Sequence, residues 1–401
     1  MNFSKELSVL LEKEFEEFHI FKKKGKIRAA ICIGSTVLSK SFLFNKGQLL
    51  SNTAIGGIRR KKYPNYETML EDVRRLAYEG MTFKAAFIGL KVGGAKMVFR
   101  NDIYDENPEE CYEFIDRAIN KLNGLYLGAE DIGMPEENLE CLKTPYILGR
   151  SCGEMSGDPA PFTVRSVFVS LETLLKFLNL VSDPKDFSHL TFAVQGFGSV
   201  GNLAVAELVK RGAKKIFLSD KDRNKIAKAQ DLYGNKIKLC IAYDPETDYF
   251  SEDMEICQKA DIFIPCAVGF IINSRTTPCL QFKGICGSAN NLFAVDDDAA
   301  KLHQRKIVCP GDFPVNNGGL VYTFTLLENR GTKYDPAAAE EMIDKNFGRI
   351  YDLLEKSRAE KKAPQQIAVE MAERKLAEAK IAPKEEIYDF RDEQIIKIHN
   401  L

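Results

Sequence analysis

The chain has 401 residues, of which 45% are hydrophobic and 28% charged, and its formal net charge is −1. That length exceeds a single hydrophobic core and implies about two or three domains, while the near-neutral balance leaves no electrostatic footprint for nucleic acid. The opening MNFSKELSVLLEKEFEEF is too acidic and interrupted for a signal peptide, and no apolar run reaches bilayer-spanning length, so the expectation is a cytoplasmic protein with no membrane partner.

The ten cysteines are scattered, with no Cys-x-x-Cys pair and no histidine at ligand spacing, so no metal is expected. Several sit in apolar runs, such as Ile31-Cys32-Ile33, and read as reduced, buried small hydrophobes. The basic runs Lys22-Lys23-Lys24 and Arg59-Arg60-Lys61-Lys62 read as solvated loops.

Leu7, Leu10, Leu11, Phe15 and Phe18 recur at helical spacing and predict an amphipathic helix over 4–18. Residues 26–33 and 36–44 read as a hairpin-like pair of strands. Gly56-Gly57 suits a tight turn whose backbone lies open to a ligand. Met69, Leu70, Val73, Leu76 and Ala77 predict a helix from Tyr66 to Tyr78, with Gly80 as its stop.

GMTFKAAFIGLKVGGAK, residues 80–96, organises the first half. Lys84 and Lys96 stand among apolar and glycine residues, and read either as solvated lysines of a strand-turn, the commoner case, or as lysines that lose hydration and with it some of their basicity. Ala85 to Leu90 reads as a short buried strand, and Gly93-Gly94 as the turn before Lys96. Pro108 opens another helix. Ala129-Glu130-Asp131-Ile132-Gly133 then places two carboxylates among small residues, where Asp131 serves either as a proton shuttle or as a turn aspartate.

Residues 151–162 are rich in Gly, Ser and Pro and mark a domain boundary, before a helix from Thr163 to Leu178. Thr191 to Val194 reads as a buried parallel strand. It leads through Gly196-Phe197-Gly198-Ser199-Val200-Gly201 into a helix, and a second strand ends at Ser219-Asp220. Strand, G-x-G-x-x-G, helix, strand and acid in this order form a dinucleotide fingerprint. Its glycines let a pyrophosphate approach the helix N-terminus. Asp220 suits ribose hydroxyls and repels a 2′-phosphate, favouring NAD over NADP. Further strands run into the small-residue loops Cys266-Ala267 and Asn290-Asn291, where sheets of this kind contact ligands. The fold class is therefore α/β. It comprises a first domain (1–150), a doubly wound NAD-binding Rossmann domain (151–330) and helices (331–401) that pack back on the first domain or on a neighbouring subunit.

Together, GGIR (Gly56 to Arg59), GMTFKAA, GGAK, AEDIG, GDPAPFT, GFGSVG, PCAVGFIIN, GSANN and VNNGG resemble the Glu/Leu/Phe/Val dehydrogenase superfamily, nearest in look to leucine dehydrogenase. The resemblance implies roles. Lys84 would bind the substrate α-carboxylate, helped by Asn291 and the Gly56-Gly57 turn, and Lys96 would be the base that activates water. Asp131 would exchange protons with the amino group, while Thr163 and Asn290 would contact the nicotinamide. It also implies a homo-oligomer, with residues 1–150 as the substrate and oligomerisation domain. Ile55 stands where glutamate-specific relatives carry a lysine, pointing to an aliphatic or aromatic amino acid. Thr323 stands where those relatives carry a small hydroxyl, which leaves glutamate as an alternative substrate. An inactive NAD-binding regulator is the alternative of a different class.

Overall fold

The computed structural model describes residues 14–44, 48–149, 158–247, 249–267, 269–329, 333–381 and 395–401. Lys24 and Gly25 both take positive φ, 50° and 75°, and close a tight hairpin between β1 (Glu17–Lys23) and β2 (Lys26–Ser35). Paired left-handed residues match the twist of antiparallel strands. The helix expected over 4–18 is therefore corrected at its end. Residues 1–13 lie outside the described residues, and Glu17 and Phe18 are already in β1. The partner of β2 is also different from the one expected. It pairs with β1, while 36–44 contributes only β3 (Phe42–Phe44), which pairs with β4 (Gln48–Leu50).

β5 (Ala54–Lys61) contains both Gly56-Gly57 and the basic run from Arg59, so that run is strand rather than solvated loop. α1 (Tyr66–Arg75) is capped by Asn65, whose side chain accepts from the Thr68 N–H. Gly80 does not end the helix. A π-helical turn spans Leu76–Thr82, and α2 (Phe83–Ile88) follows without a break until Gly89, at φ 76°, stops it. Lys84 thus sits on a helix and not at the start of a strand. A six-residue apolar run reads equally well either way by periodicity. Gly93-Gly94 open β6 (Gly93–Arg100) and do not form a turn. α3 (Asn101–Glu106), α4 (Pro108–Asn120), β7 (Tyr126–Ala129) and α5 (Glu136–Leu139) follow.

α6 (Ala160–Phe177) leads to β8 (Thr191–Gln195), α7 (Ser199–Lys210), β9 (Lys215–Ser219), α8 (Arg223–Tyr233), β10 (Ile237–Leu239), β11 (Ile262–Pro265) and β12 (Gly284–Ile285). Then come α9 (Asp297–Gln304), α10 (Gly318–Glu328), α11 (Pro336–Asp344), α12 (Asn346–Glu360), α13 (Pro364–Ile381) and β13 (Ile395–Asn400). The last is a strand where only helix was expected. Its Ile395 to Asn400 pair in parallel with Glu17 to Lys22 of β1, a partner too distant in sequence to be legible locally.

The chain forms two compact units. One contains residues 1–158, 320–338 and 372–401, and the other 159–319 and 339–371. In the first, a six-stranded sheet runs β13-β1-β2-β6-β5-β7. Phe18, Ile20, Ala30, Cys32 and Val98 on one face pack against Met69, Leu70, Val73 and Ala77 of the α1 rod. Lys96, two residues before Val98, points to that same face by strand alternation. The second unit is a five-stranded parallel sheet in the order β10-β9-β8-β11-β12. Its direction of winding reverses between β8 and β11, and ligands of such sheets bind beyond the strand C-termini at this reversal. Cys32, Cys111, Cys286 and Cys309 are free and buried, as expected for the cysteines in apolar runs, whereas Cys141 is exposed. Among the described residues, no helix is long and apolar enough to cross a membrane.

Candidate active site

Three adjacent parallel strands of the first unit, β6, β5 and β7, bring Lys96, Gly56-Gly57 and Asp131 together. Lys96 Nζ lies 3.1 Å from Asp131 Oδ2. A side chain at Gly57 would have no room. Its β-carbon would lie 2.7 Å from Asp131 Cβ, 2.8 Å from the Glu130 carbonyl and 3.0 Å from Lys96 Nζ. One at Gly56 would overlap the Ala95 carbonyl. The glycines therefore act through close approach within a strand. Ile55 shares the face of Gly57 and is buried.

Arg59 Nε donates to Asp131 Oδ2 at 2.7 Å, and Arg59 Nη1 lies 3.4 Å from Asp72 Oδ2, which also accepts from Tyr63 Oη at 2.7 Å. Burial pulls the Lys96 ammonium down from the usual lysine range, and the Arg59 cation adds to this against the opposing pull of Asp131. Burial alone would raise the Asp131 carboxyl, but the charges of Arg59 and Lys96 hold it well below the usual carboxylate range. Because Arg59 stays charged, Asp131 remains paired even when Lys96 has lost its proton. The cluster thus offers a buried amine able to cycle between its two states. Neighbouring Glu130 is pushed up to about 7 by burial and by the charge of Asp158. Lys84 is buried on α2. It follows two residues after Thr82, whose backbone packs directly against Gly94 of β6. Thr323 is half-buried on α10, in the part of that helix belonging to the first unit.

In the second unit, Gly196 sits at the C-terminus of β8 with φ 91° and donates its N–H to the Ser219 carbonyl at 2.7 Å. A side chain there would meet Ala267 Cβ at 2.8 Å, and one at Gly201 would overlap the Gly196 carbonyl. Gly198, by contrast, faces open space, and no side chain caps the N-terminus of α7. The first-turn N–H groups of Ser199, Val200 and Gly201 thus form a cradle fit for an anion. Asp220 Oδ2 accepts from the Phe197 N–H at 2.7 Å, fixing the acid to the turn. The Cys266-Ala267 loop abuts this turn, and Cys266 donates its N–H to the Gln195 carbonyl at 2.7 Å. Asn290 Oδ1 accepts from Asn316 Nδ2 at 3.0 Å, and Asn291 takes φ 53° with its N–H donated to Asp312 Oδ2. Thr163 is half-buried in the first turns of α6, where its Oγ1 donates to the Pro159 carbonyl. A pocket of about 630 Å³ elsewhere in this unit, lined by Arg165, Phe168, Glu172, Leu203, Arg211 and Phe347 among others, includes none of these residues.

Residues 158–383 match the sequence model of the Glutamate/Leucine/Phenylalanine/Valine dehydrogenase family, and residues 48–147 match that of the Glu/Leu/Phe/Val dehydrogenase dimerisation domain. The chain belongs to the Glu/Leu/Phe/Val dehydrogenase family. It is 30% identical to leucine dehydrogenase of Bacillus cereus over 380 residues, covering 94% of each chain. It is 32% identical to L-tryptophan dehydrogenase of Nostoc punctiforme over 339 residues, covering 83% of each. The crystal structure of L-tryptophan dehydrogenase from Nostoc punctiforme superposes with a TM-score of 0.66 at 25% identity, over 92% of this chain and 97% of that one. The protein is accordingly an amino acid dehydrogenase and an oxidoreductase.

In this dehydrogenase, Arg59, Asp72 and Tyr63 complete the lysine cluster, and sequence reasoning passed over all three as site residues. Strand alternation was the available signal. Once Gly57 faces Lys96, Arg59 must face it too. Asp72 offered no such signal, because it reaches the cluster from α1 across the sheet face.

Proposed function

We propose that the chain catalyses NAD-dependent oxidative deamination of an L-amino acid with an aliphatic or aromatic side chain, giving the 2-oxo acid and ammonia. The observation that carries this reading is the buried Lys96–Asp131–Arg59 cluster, in which a lysine of reduced basicity contacts a carboxylate kept ionised by a permanent cation. Lys84, with Asn291 and the Gly56-Gly57 backbone, receives the substrate α-carboxylate. Lys96 takes a proton from the water that adds to the oxidised carbon. Asp131 meets the substrate nitrogen and relays its proton as ammonia departs. Ile55, in place of a cation, leaves an apolar surface for the substrate side chain.

The open Gly198 and uncapped α7 N-terminus fit a pyrophosphate, held by Gly196, Gly198, Ser199, Val200 and Gly201, with Cys266 and Ala267 alongside. Asp220 would take the ribose hydroxyls, and Thr163 and Asn290 the nicotinamide end. Bound NAD supplies the hydride acceptor. The relatives named for leucine and tryptophan support an apolar substrate, and the dimerisation-domain match supports a homo-oligomer.

A spectrophotometric screen of leucine, valine, phenylalanine, tryptophan and glutamate with NAD and NADP tests this. The expected result is highest kcat/KM for an apolar amino acid with NAD. Glutamate as the best substrate would overturn the argument from Ile55, and a preference for NADP would overturn the argument from Asp220.

A further inference from the structure

Glu255 is fully buried at the start of a 3₁₀ turn (Glu255–Cys257), between Met254 and Ile256 of the second unit's core. A carboxyl in such a place is costly unless something there uses it. Its Oε1 accepts from Gln195 Nε2 at 2.8 Å and its Oε2 from the Tyr243 N–H at 2.9 Å. The Ser219 hydroxyl lies beside the same carboxyl and has no hydrogen-bond partner among the described residues. Gln195 is the last residue of β8 and Ser219 the last of β9. The next residue after each is functional, namely Gly196 of the glycine turn and Asp220. Hydrogen bonds link the same two strand ends, from the Gly196 N–H to the Ser219 carbonyl and from the Phe197 N–H to Asp220 Oδ2.

We infer that Glu255 is a positioning residue for dinucleotide binding: through Gln195 it fixes the end of β8 that presents the glycine turn, to which the end of β9 and Asp220 are tied, and it does so best as a carboxylate. This rests on the dinucleotide reading above. Two N–H donors aimed at two different oxygens suit an ionised group. A neutral acid offers one of these donors only a hydroxyl oxygen, a poorer acceptor, and its own proton is drawn to Ser219 Oγ or Gln195 Oε1, both buried with no hydrogen-bond partner among the described residues. The weakened hold on Gln195 loosens the end of β8.

Burial pushes this carboxyl up to about 7, against the hydrogen bonds from Tyr243 and Gln195. The other titratable groups facing it are the thiols of Cys240, Cys257 and Cys279, each itself raised by burial and so protonated in the same range. The Tyr243 hydroxyl accepts from Asn273 Nδ2.

The test is the dissociation constant of NADH, read by its fluorescence between about pH 6 and pH 8. For the wild-type protein, it should fall by about ten-fold across a midpoint near pH 7, the value of one charge-assisted hydrogen bond. Glu255→Gln keeps the shape and cannot ionise. Its curve should be flat at the wild-type acid plateau, with kcat at saturating dinucleotide changed less than about two-fold. Gln195→Met removes one donor to the carboxylate and should move the midpoint upward. If Glu255→Gln titrates as the wild type does, or if Gln195→Met leaves the midpoint in place, the inference is wrong while the dinucleotide reading stands. Failure of the wild-type protein to bind NADH or NADPH at any pH would instead remove the dinucleotide reading, and this inference with it.

Discussion

Replacing Arg59 by methionine should move the acid limb of the pH–rate profile to higher pH. Arg59 Nε and Lys96 Nζ contact the same oxygen, Asp131 Oδ2, at 2.7 and 3.1 Å. The two cationic nitrogens therefore lie within about 6 Å of each other, since neither can be farther from the other than the two contacts laid end to end. At an effective dielectric of about 20, that separation corresponds to about 3 kcal/mol of repulsion, or about two pH units in the proton affinity of Lys96. Without Arg59 the lysine holds its proton more tightly, and a base must be deprotonated to act. The limb of kcat/KM for deamination should then rise by about two pH units. Arg59→Met also leaves Asp131 with one cation fewer, at a stability cost of about 3–5 kcal/mol for a buried pair broken on one side. Arg59→Lys separates the two effects: it keeps the charge but loses the planar fork, so kcat should fall while the limb stays in place. The assay is initial-rate deamination across pH with each variant. A methionine profile that superposes on the wild type after scaling would refute the electrostatic reasoning.

Lys96→Ala should lower kcat/KM by about a thousand-fold, the range of a lost general base, with NADH affinity measured by fluorescence unchanged. Gly57→Ala forces apart atoms 2.7–3.0 Å from the new carbon, including Lys96 Nζ. It should cost about 1–3 kcal/mol in chemical denaturation, and activity by about a hundred-fold through misplacement of the amine. Asp220→Ser should narrow the NAD-to-NADP ratio of kcat/KM, because the repulsion of a 2′-phosphate is removed. His399 lies 3.1 Å from His19 and stacks on Phe21 at 4.8 Å, and burial lowers its pKa. Its neutral form stabilises the fold above pH 6.5, and this contribution is lost as pH falls through its depressed value. His399→Phe should therefore flatten the loss of stability on acidification, as judged by urea midpoints on either side of that range.

The parts of the molecule legible in the sequence are those specified by neighbours along the chain. Thr191 to Asp220 reads correctly because strand, glycine turn, helix and second strand follow one another in about thirty residues. The spacing of Met69, Leu70 and Val73 announces α1, and Pro108 in the first turn announces α4. Lys96, Asp131 and Gly56-Gly57 were singled out by residue type, but their meeting depends on the register of β5 with β6 and β7, which no local pattern encodes. Arg59 was misjudged because a run of basic residues looks the same whether it is a loop or a strand with one face buried. The continuity of α1, the π-helical turn and α2 was hidden by Gly80. There, packing of Leu76, Ala77 and Thr82 outweighs the glycine's poor helical propensity.

The pairing of β13 with β1 has a consequence for biosynthesis. During translation, the edge of β1 stays open until Ile395 to Asn400 have been made, whereas every strand of the five-stranded sheet is in hand once Ile285 has emerged. An unpaired edge is a template for wrong partners. The nascent chain therefore carries this open edge until β13 has been made, and loss of Ile395 to Asn400 should be felt as aggregation during expression before it is felt as lost turnover.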